Sequence, residues 1–206
     1  MNPRFRFVRL AFALATALLP TGCGVLKPSI APVRHFVLAP VPANESAAAT
    51  DQVSVGIGPV KMPSYLQRTS MSVRHGTNEV EYLEDARWGE RLDQCFQRTL
   101  AANLSRLLPS DQVSSTEWVG SQVAVRVFVD VQQFEVDSQG RGILIAHWRL
   151  TSPNSNTPLK SGLARLNQMG PSPKDPAAIA ATLSELAAEF SRTLAQAIRE
   201  SLPRKN

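Results

Sequence analysis

Residues 122–151, QVAVRVFVDVQQFEVDSQGRGILIAHWRLT, decide the fold of this chain. Five valines recur at every second position from Val123 to Val131, which is the period of a β-strand with one buried face. The run DSQGRG at 137–142 is typical of a turn, and ILIAHWRLT at 143–151 returns as a second strand. The stretch therefore predicts a long antiparallel hairpin.

Shorter strands are predicted on both sides of this hairpin. Upstream, four candidates combine apolar and polar residues in the strand manner: HFVL at 35–38, QVSVGI at 52–57, and residues 69–74 and 79–83. Residues 75–78, HGTN, are typical of a turn between the last two. Downstream, a turn at 152–158 leads to a predicted strand at 159–168.

Two other segments have the period of an amphipathic helix. In residues 88–108 the apolar positions fall at spacings of three and four, and Pro109 ends the pattern. A second helix begins at Asp175-Pro176, an N-cap followed by proline, and its apolar stripe continues to about Leu202. Strands and helices together predict an α+β fold, a two-layer domain with a largely antiparallel sheet packed against two long helices.

The start of the chain has the layout of an export signal. Three arginines precede an apolar run at 10–19, which is too short to span a bilayer. The following PTGC at 20–23 resembles the bacterial lipobox, in which small residues precede a diacylated cysteine; Pro20 departs from the usual Leu. We expect a lipoprotein signal peptide at 1–22, and the alternative is an ordinary secreted protein.

Cys23 is the expected lipid attachment site, and the acyl chains, palmitate among them, would form a permanent tether. In enterobacterial lipoproteins an Asp after the cysteine retains the protein in the inner membrane, whereas this chain has Gly24. We therefore expect the inner leaflet of the outer membrane, with the protein facing the periplasm. Residues 23–32 would be the acylated cysteine and an extended tether, and residues 33–203 a single periplasmic domain.

Charge and composition argue against nucleic-acid binding and against catalysis. Three of the 22 basic side chains lie in the leader, which leaves 19 basic against 17 acidic residues. The three histidines are scattered without metal-ligand spacing, and no nucleophile or phosphate-loop motif is present. Glu81, Glu84 and Asp85 are interpreted as a solvated acidic turn, and Cys95, on an apolar helix stripe, as a buried thiol. We expect no catalytic residue, metal or cofactor.

Residues 58–68, GPVKMPSYLQR, have no regular period. Two prolines fix an irregular path, while Met62, Tyr65 and Leu66 add apolar surface. Such a segment either packs into the core or is displayed to a partner, and the sequence leaves both alternatives open.

Together with Arg74 and RWGERL at 87–92, this segment resembles the ABC-type transport auxiliary lipoproteins, the PqiC (YmbA) family. That family shows an early aromatic-x-Leu strand, then V-G-P-V-x-L-P-x-Y-L-D-R, a basic strand and a W-A-E-P-L helix start. At these places the chain has FVL at 36–38, the segment 58–68, Arg74 and WGERL at 88–92. Gln67 replaces the usual Asp, Gly89 the Ala and Arg91 the Pro. The resemblance covers about residues 34–200.

The resemblance implies a non-enzymatic auxiliary or adaptor subunit of an intermembrane lipid transport system that supports membrane integrity. Its partner would be a periplasmic MCE-domain protein, and assembly as a homo-oligomeric ring is also implied. The candidate partner-binding residues are Pro63, Tyr65, Leu66, Arg68, Arg74 and Trp88. The alternative function is an outer-membrane assembly or lipid-carrier lipoprotein with a lipid in its own cavity; an anchored hydrolase is disfavoured because no nucleophile motif is present.

Overall fold

The hairpin predicted from the valine alternation lies at the centre of an eight-stranded sheet. The computed structural model describes residues 32–42, 53–108, 110, 112–115, 123–153 and 157–202. In chain order the elements are β1 (Arg34–Phe36), β2 (Val55–Ile57), β3 (Ser70–His75), β4 (Glu79–Trp88), α1 (Leu92–Leu107), β5 (Val113–Ser114), β6 (Val125–Asp137), β7 (Arg141–Thr151), β8 (Pro158–Met169) and α2 (Pro176–Ser201). A 3-10 turn spans Ser64–Gln67.

Residues 1–31 lie outside the described part of the chain, and with them the expected signal peptide, Cys23 and most of the tether. In the described ranges, no helix has the length and the apolar character needed to cross a membrane.

The sheet is organised around β6. On one side β6 pairs with β7 along its whole length, and β7 pairs with β8, both antiparallel. On the other side β2 runs parallel to the first part of β6, and Val73 and Arg74 of β3 pair with the end of β6. The longest ladders are antiparallel, so the predicted α+β fold with a largely antiparallel sheet is confirmed.

A β-bulge in β6 reverses which residues face the helices. The valines from Val125 to Val131 are buried as the alternation predicts, but the register shifts between Val131 and Gln133. Beyond the bulge the buried face continues through Phe134 and Val136. A bulge adds one residue to one strand and thereby changes the phase of the side chains. As a result Glu135 points to the opposite face of the sheet.

Both helices pack on the valine face. Phe96 of α1 is fully buried between Phe134 and Phe190, with ring centroids 4.8 Å and 6.1 Å away. The predicted start of α2 is confirmed, because the Asp175 side chain accepts a hydrogen bond from the Ala177 N–H at 3.0 Å. The space between sheet and helices is thus filled by large side chains, while neither of these helices covers the opposite, outer face.

The stretch before α1 differs from the prediction. The helical pattern places Trp88 at the start of the helix, but it ends β4, where its N–H donates to the Thr69 carbonyl at 2.7 Å. Arg91 still has an extended ψ of 134°, so the helix begins only at Leu92. Glu81, Glu84 and Asp85, expected in a turn, are exposed residues within β4, which is longer than the predicted strand.

Candidate partner-binding site

Residues 58–68 begin as an extension of the sheet and then leave it. The Gly58 and Lys61 N–H groups donate to Val127 and Val129 of β6, and the Lys61 carbonyl accepts from Val131. Pro63 has no N–H to continue this ladder, and its fixed φ of −55° precedes the 3-10 turn Ser64–Gln67. The turn occupies the gap between β2 and β3, beside the bulge of β6.

The six candidate residues occupy two different environments. Leu66 and Trp88 are core residues, with only 3% and 4% of their surface exposed, so they contribute packing and present no surface to a partner in this structure. Pro63, Tyr65 and Arg74 are partly buried at the outer face, and Arg68 is exposed. The segment therefore belongs to the core on one side and to the surface on the other.

Tyr65 and Arg74 meet at Glu135, which the bulge places on the outer face. The Tyr65 hydroxyl donates to Glu135 Oε1 at 3.3 Å, and Arg74 Nη2 donates to the Tyr65 oxygen at 3.1 Å. Arg74 Nε forms an ion pair with the same carboxylate oxygen, to which Gln133 Nε2 also donates at 2.9 Å. We refer to Tyr65, Arg74, Gln133 and Glu135 as the Glu135 cluster.

The Glu135 cluster is electrostatically unusual because its carboxylate is only 1% exposed. All three donors bond to Oε1, and Oε2 has no hydrogen-bond partner among the described residues. Burial raises the pKa of the Tyr65 phenol, and the adjacent Glu135 carboxylate raises it further. Tyr65 therefore remains a neutral donor, and Arg74 is the cation that compensates the buried charge.

Arg68 is fixed by contacts with its neighbours although it is exposed. Its guanidinium carbon lies 4.7 Å from the centroid of the Tyr82 ring, and the Tyr82 hydroxyl donates to the Tyr65 carbonyl at 3.1 Å. A cation held over an aromatic face keeps its hydrogen-bond donors available to solvent. Arg68 is thus displayed in a defined position beside the Glu135 cluster.

Two departures from the family pattern contact each other. Arg91 Nη2 donates to the Gln67 side-chain oxygen at 3.2 Å and forms an ion pair with Asp93 at 2.8 Å. Gln67 also donates to the Met62 carbonyl at 2.9 Å. The hydrogen bond of Arg91 lowers the pKa of Asp93. The link between the 3-10 turn and the start of α1 is therefore made by Gln67 and Arg91.

A polar cavity of about 610 Å³ lies beside the Glu135 cluster. Tyr65, Arg74 and Gln133 line one side of it, and Asp137 and Arg141 line another. Burial alone would raise the pKa of Asp137, but hydrogen bonds from the Arg141 and Gln139 N–H groups and from the Arg141 side chain lower it overall. Within the described ranges, no three acidic, histidine or cysteine side chains come close enough to hold a metal ion.

Sequence reasoning did not identify Glu135, Gln133 or Tyr82 as parts of this site. The sequence predicts a continuous strand through residue 136, which gives no reason to separate Glu135 from its neighbours. The available signal was the QQ pair at 132–133, which interrupts the valine alternation and marks the bulge.

The sequence model of the ABC-type transport auxiliary lipoprotein component matches residues 36–198, and the chain belongs to this family. Members are auxiliary components of ABC-type transport. No curated protein sequence matches the chain significantly.

Solved structures with low sequence identity share the fold. An uncharacterized protein has a TM-score of 0.67 and 19% identity, covering 81% of this chain and 99% of its own. A protein of the DUF330 family from Xanthomonas campestris has a TM-score of 0.68 and 14% identity, covering 82% and 96%. A PelC dodecamer from Paraburkholderia phytofirmans reaches a TM-score of only 0.40, with 12% identity and 78% and 95% coverage, which is too low for any conclusion about assembly.

Proposed function

We propose that this chain is a non-enzymatic adaptor subunit of an MCE-type intermembrane lipid transport system. It would be anchored through acylated Cys23 in the inner leaflet of the outer membrane and face the periplasm. The observation that carries the proposal is the family match over residues 36–198. The tether, the outer-membrane location and the MCE-domain partner are parts of the proposal.

The outer face around residues 63–68 is the proposed docking surface for the MCE-domain protein. Arg68 is exposed there and held by Tyr82, and Tyr65 is partly exposed beside a polar cavity. Arginine and tyrosine are frequent anchors of protein interfaces because each combines apolar contact with directional hydrogen bonds. A ring of identical subunits on the membrane would present several copies of this surface.

The packed interior favours an adaptor over a carrier that holds lipid inside itself. Phe96, Phe134 and Phe190 fill the space between the sheet and the helices, where an internal lipid cavity would have to be. A carrier instead needs an apolar cavity large enough for its ligand.

The docking surface is tested by Arg68→Ala and pull-down with the MCE-domain protein of the same cell. We expect binding at least about tenfold weaker, a loss of about 1.4 kcal/mol, because an anchor residue is removed. The melting temperature should fall by no more than about 4 °C, since an exposed cation–π contact contributes about 0.5–1 kcal/mol.

Tyr65→Phe and Arg192→Ala complete this experiment. Tyr65→Phe keeps the ring and removes only the hydroxyl, whereas Tyr65→Ala would also disturb the core against which Tyr65 packs. Arg192 is an exposed arginine on α2 and serves as the charge-matched control. Unchanged binding of Arg68→Ala, or equal weakening by Arg192→Ala, would reject this surface as the docking site.

A further inference from the structure

A second cavity, of about 550 Å³, lies on the outer face of the sheet between residues 59–61 and β7. Its size is within the range of small-molecule sites in proteins, roughly 300–1,000 Å³. Pro59 and Phe128 contribute apolar lining. It shares no lining residue with the polar cavity beside the Glu135 cluster.

The floor of this cavity is the Phe128 ring, and Gly58 allows the ring to lie there. A Cβ atom at Gly58 would come within 3.0 Å of Phe128 Cδ1. A side chain at position 58 would therefore push the ring away from the backbone. The glycine of the GPV triplet thus leaves room for the Phe128 ring beside the backbone on the outer face.

The rim of the cavity is cationic. Lys61, His147 and Arg149 line it, with Asp130 as the single carboxylate. The Arg149 guanidinium carbon lies 5.1 Å from the centroid of the Phe128 ring. Neither Arg149 nor Lys61 forms a salt bridge with a carboxylate of the described residues. Two cations and one anion leave a net positive charge next to an apolar floor.

We propose that this cavity binds an anionic amphiphile, with an apolar chain against Phe128 and a carboxylate or phosphate head at Lys61 and Arg149. Apolar burial and charge-assisted hydrogen bonds would then act on the two halves of one ligand. The proposal assigns direct lipid contact to this chain and does not require the MCE-domain partner.

An acidic peptide satisfies the same charges but fits the cavity less well. Extended peptides gain affinity by adding a strand to a free sheet edge. Here both edges of β6 are already paired, one with β7 and the other with β2 and Lys61. The cavity therefore offers side chains to a ligand and few main-chain hydrogen bonds.

The test is photo-crosslinking of the full acylated protein in membranes with a fatty acid that carries a diazirine in its chain. Trypsin releases the cavity strands as peptides 127–141 and 142–149, on which we expect the adducts. Lys61→Glu should lower their labelling at least about fivefold, and the corresponding fatty alcohol should label them about fivefold less than the acid, because both changes remove the head-group interaction.

Lys174→Glu, at an exposed lysine in the loop before α2, is the matched control and should label normally. Lys61→Gln removes the charge without adding a carboxylate beside Asp130. It replaces Lys61→Glu if that variant folds poorly, and it should also weaken labelling. Three results would overturn the proposal: labelling of the Lys61 variants equal to that of the unchanged protein, equal labelling by the alcohol, or adducts spread over peptides that contain no lining residue of the cavity. Carbodiimide coupling of Lys61 to another protein, without fatty-acid labelling, would assign the cavity to a peptide and also overturn it.

The experiment separates this site from the docking function. Fatty-acid labelling is measured in cells with and without the MCE-domain protein, and we expect the same adducts in both. If the unchanged protein is labelled normally but does not pull down the MCE-domain protein, only the adaptor function is rejected. If it pulls down the MCE-domain protein but is not labelled on the cavity peptides, only the lipid site is rejected.

Discussion

Glu135 accepts the hydrogen bonds that hold Tyr65, Arg74 and Gln133 together on the outer face of the domain. Its carboxylate is buried and is compensated by Arg74, while Tyr65 and Gln133 supply neutral donors. A buried charge is costly unless it is paired and hydrogen-bonded. Arg74 therefore has a structural role even though part of its side chain is accessible at the proposed docking surface.

Arg74→Met is expected to destabilise the domain by about 3–5 kcal/mol, because it leaves the Glu135 charge buried without its cation. The double variant Arg74→Met/Glu135→Met should recover a large part of this loss, since no charge then remains to be compensated. Urea unfolding of the single and double variants measures both effects. A double variant less stable than Arg74→Met would contradict this account of the pair.

Helix α1 connects the sheet to the second helix through one apolar stripe. Leu92, Phe96, Leu100 and Leu104 are buried at helical spacing. Cys95 is buried on the same stripe, in agreement with its interpretation as a buried thiol, and burial raises its pKa. The stripe packs against both Phe134 of the sheet and Phe190 of α2, so it stabilises the two-layer arrangement.

Phe96→Ala should lower the free energy of unfolding by about 3–5 kcal/mol, because the missing ring leaves a cavity between Phe134 and Phe190. Urea unfolding gives the value directly. Gln94→Ala, at an exposed position of the same helix, should change stability by less than about 0.5 kcal/mol. A loss below about 1 kcal/mol for Phe96→Ala would show that the site is not packed as described.

At the scale of the whole molecule, the chain that follows β1 ties the first strand to both helices. The Leu38 N–H donates to Cys95 Sγ at 3.3 Å, the Ala39 N–H to Ser184 Oγ at 3.0 Å and the Val41 N–H to Asn103 Oδ1 at 2.7 Å. These acceptors belong to both helices. The segment that follows β1 is therefore fixed to the helical layer.

Cys23→Ala should abolish lipid attachment and leave an unprocessed or a soluble periplasmic protein, because the thiol that carries the diacyl group is gone. Membrane fractionation with palmitate labelling measures this. Cys95→Ala is the control and should retain full labelling, since Cys95 is buried in the folded domain. Equal palmitate labelling of Cys23→Ala and the unchanged protein would remove the anchor hypothesis.

The sequence by itself determined the class of fold and most of its elements. Alternation of valines at 123–131 predicted the central strand, and the spacing of leucines and phenylalanines predicted both helices, because these periods depend only on local backbone geometry. The Asp175-Pro176 start of α2 was also readable locally. Residues 58–68 indicated the family through their own order of glycine, prolines and tyrosine.

Only the tertiary structure decided which of those residues face the surface and which form the core. The bulge at Gln132–Gln133 brings Glu135 to the outer face, where it meets Tyr65 and Arg74, some 70 and 61 residues away in sequence. Trp88 became a strand end because its hydrogen bond to Thr69 holds it in the sheet, against the helical spacing of its side chain. Such outcomes depend on contacts between distant segments, and a local pattern contains no information about which distant segment will be adjacent.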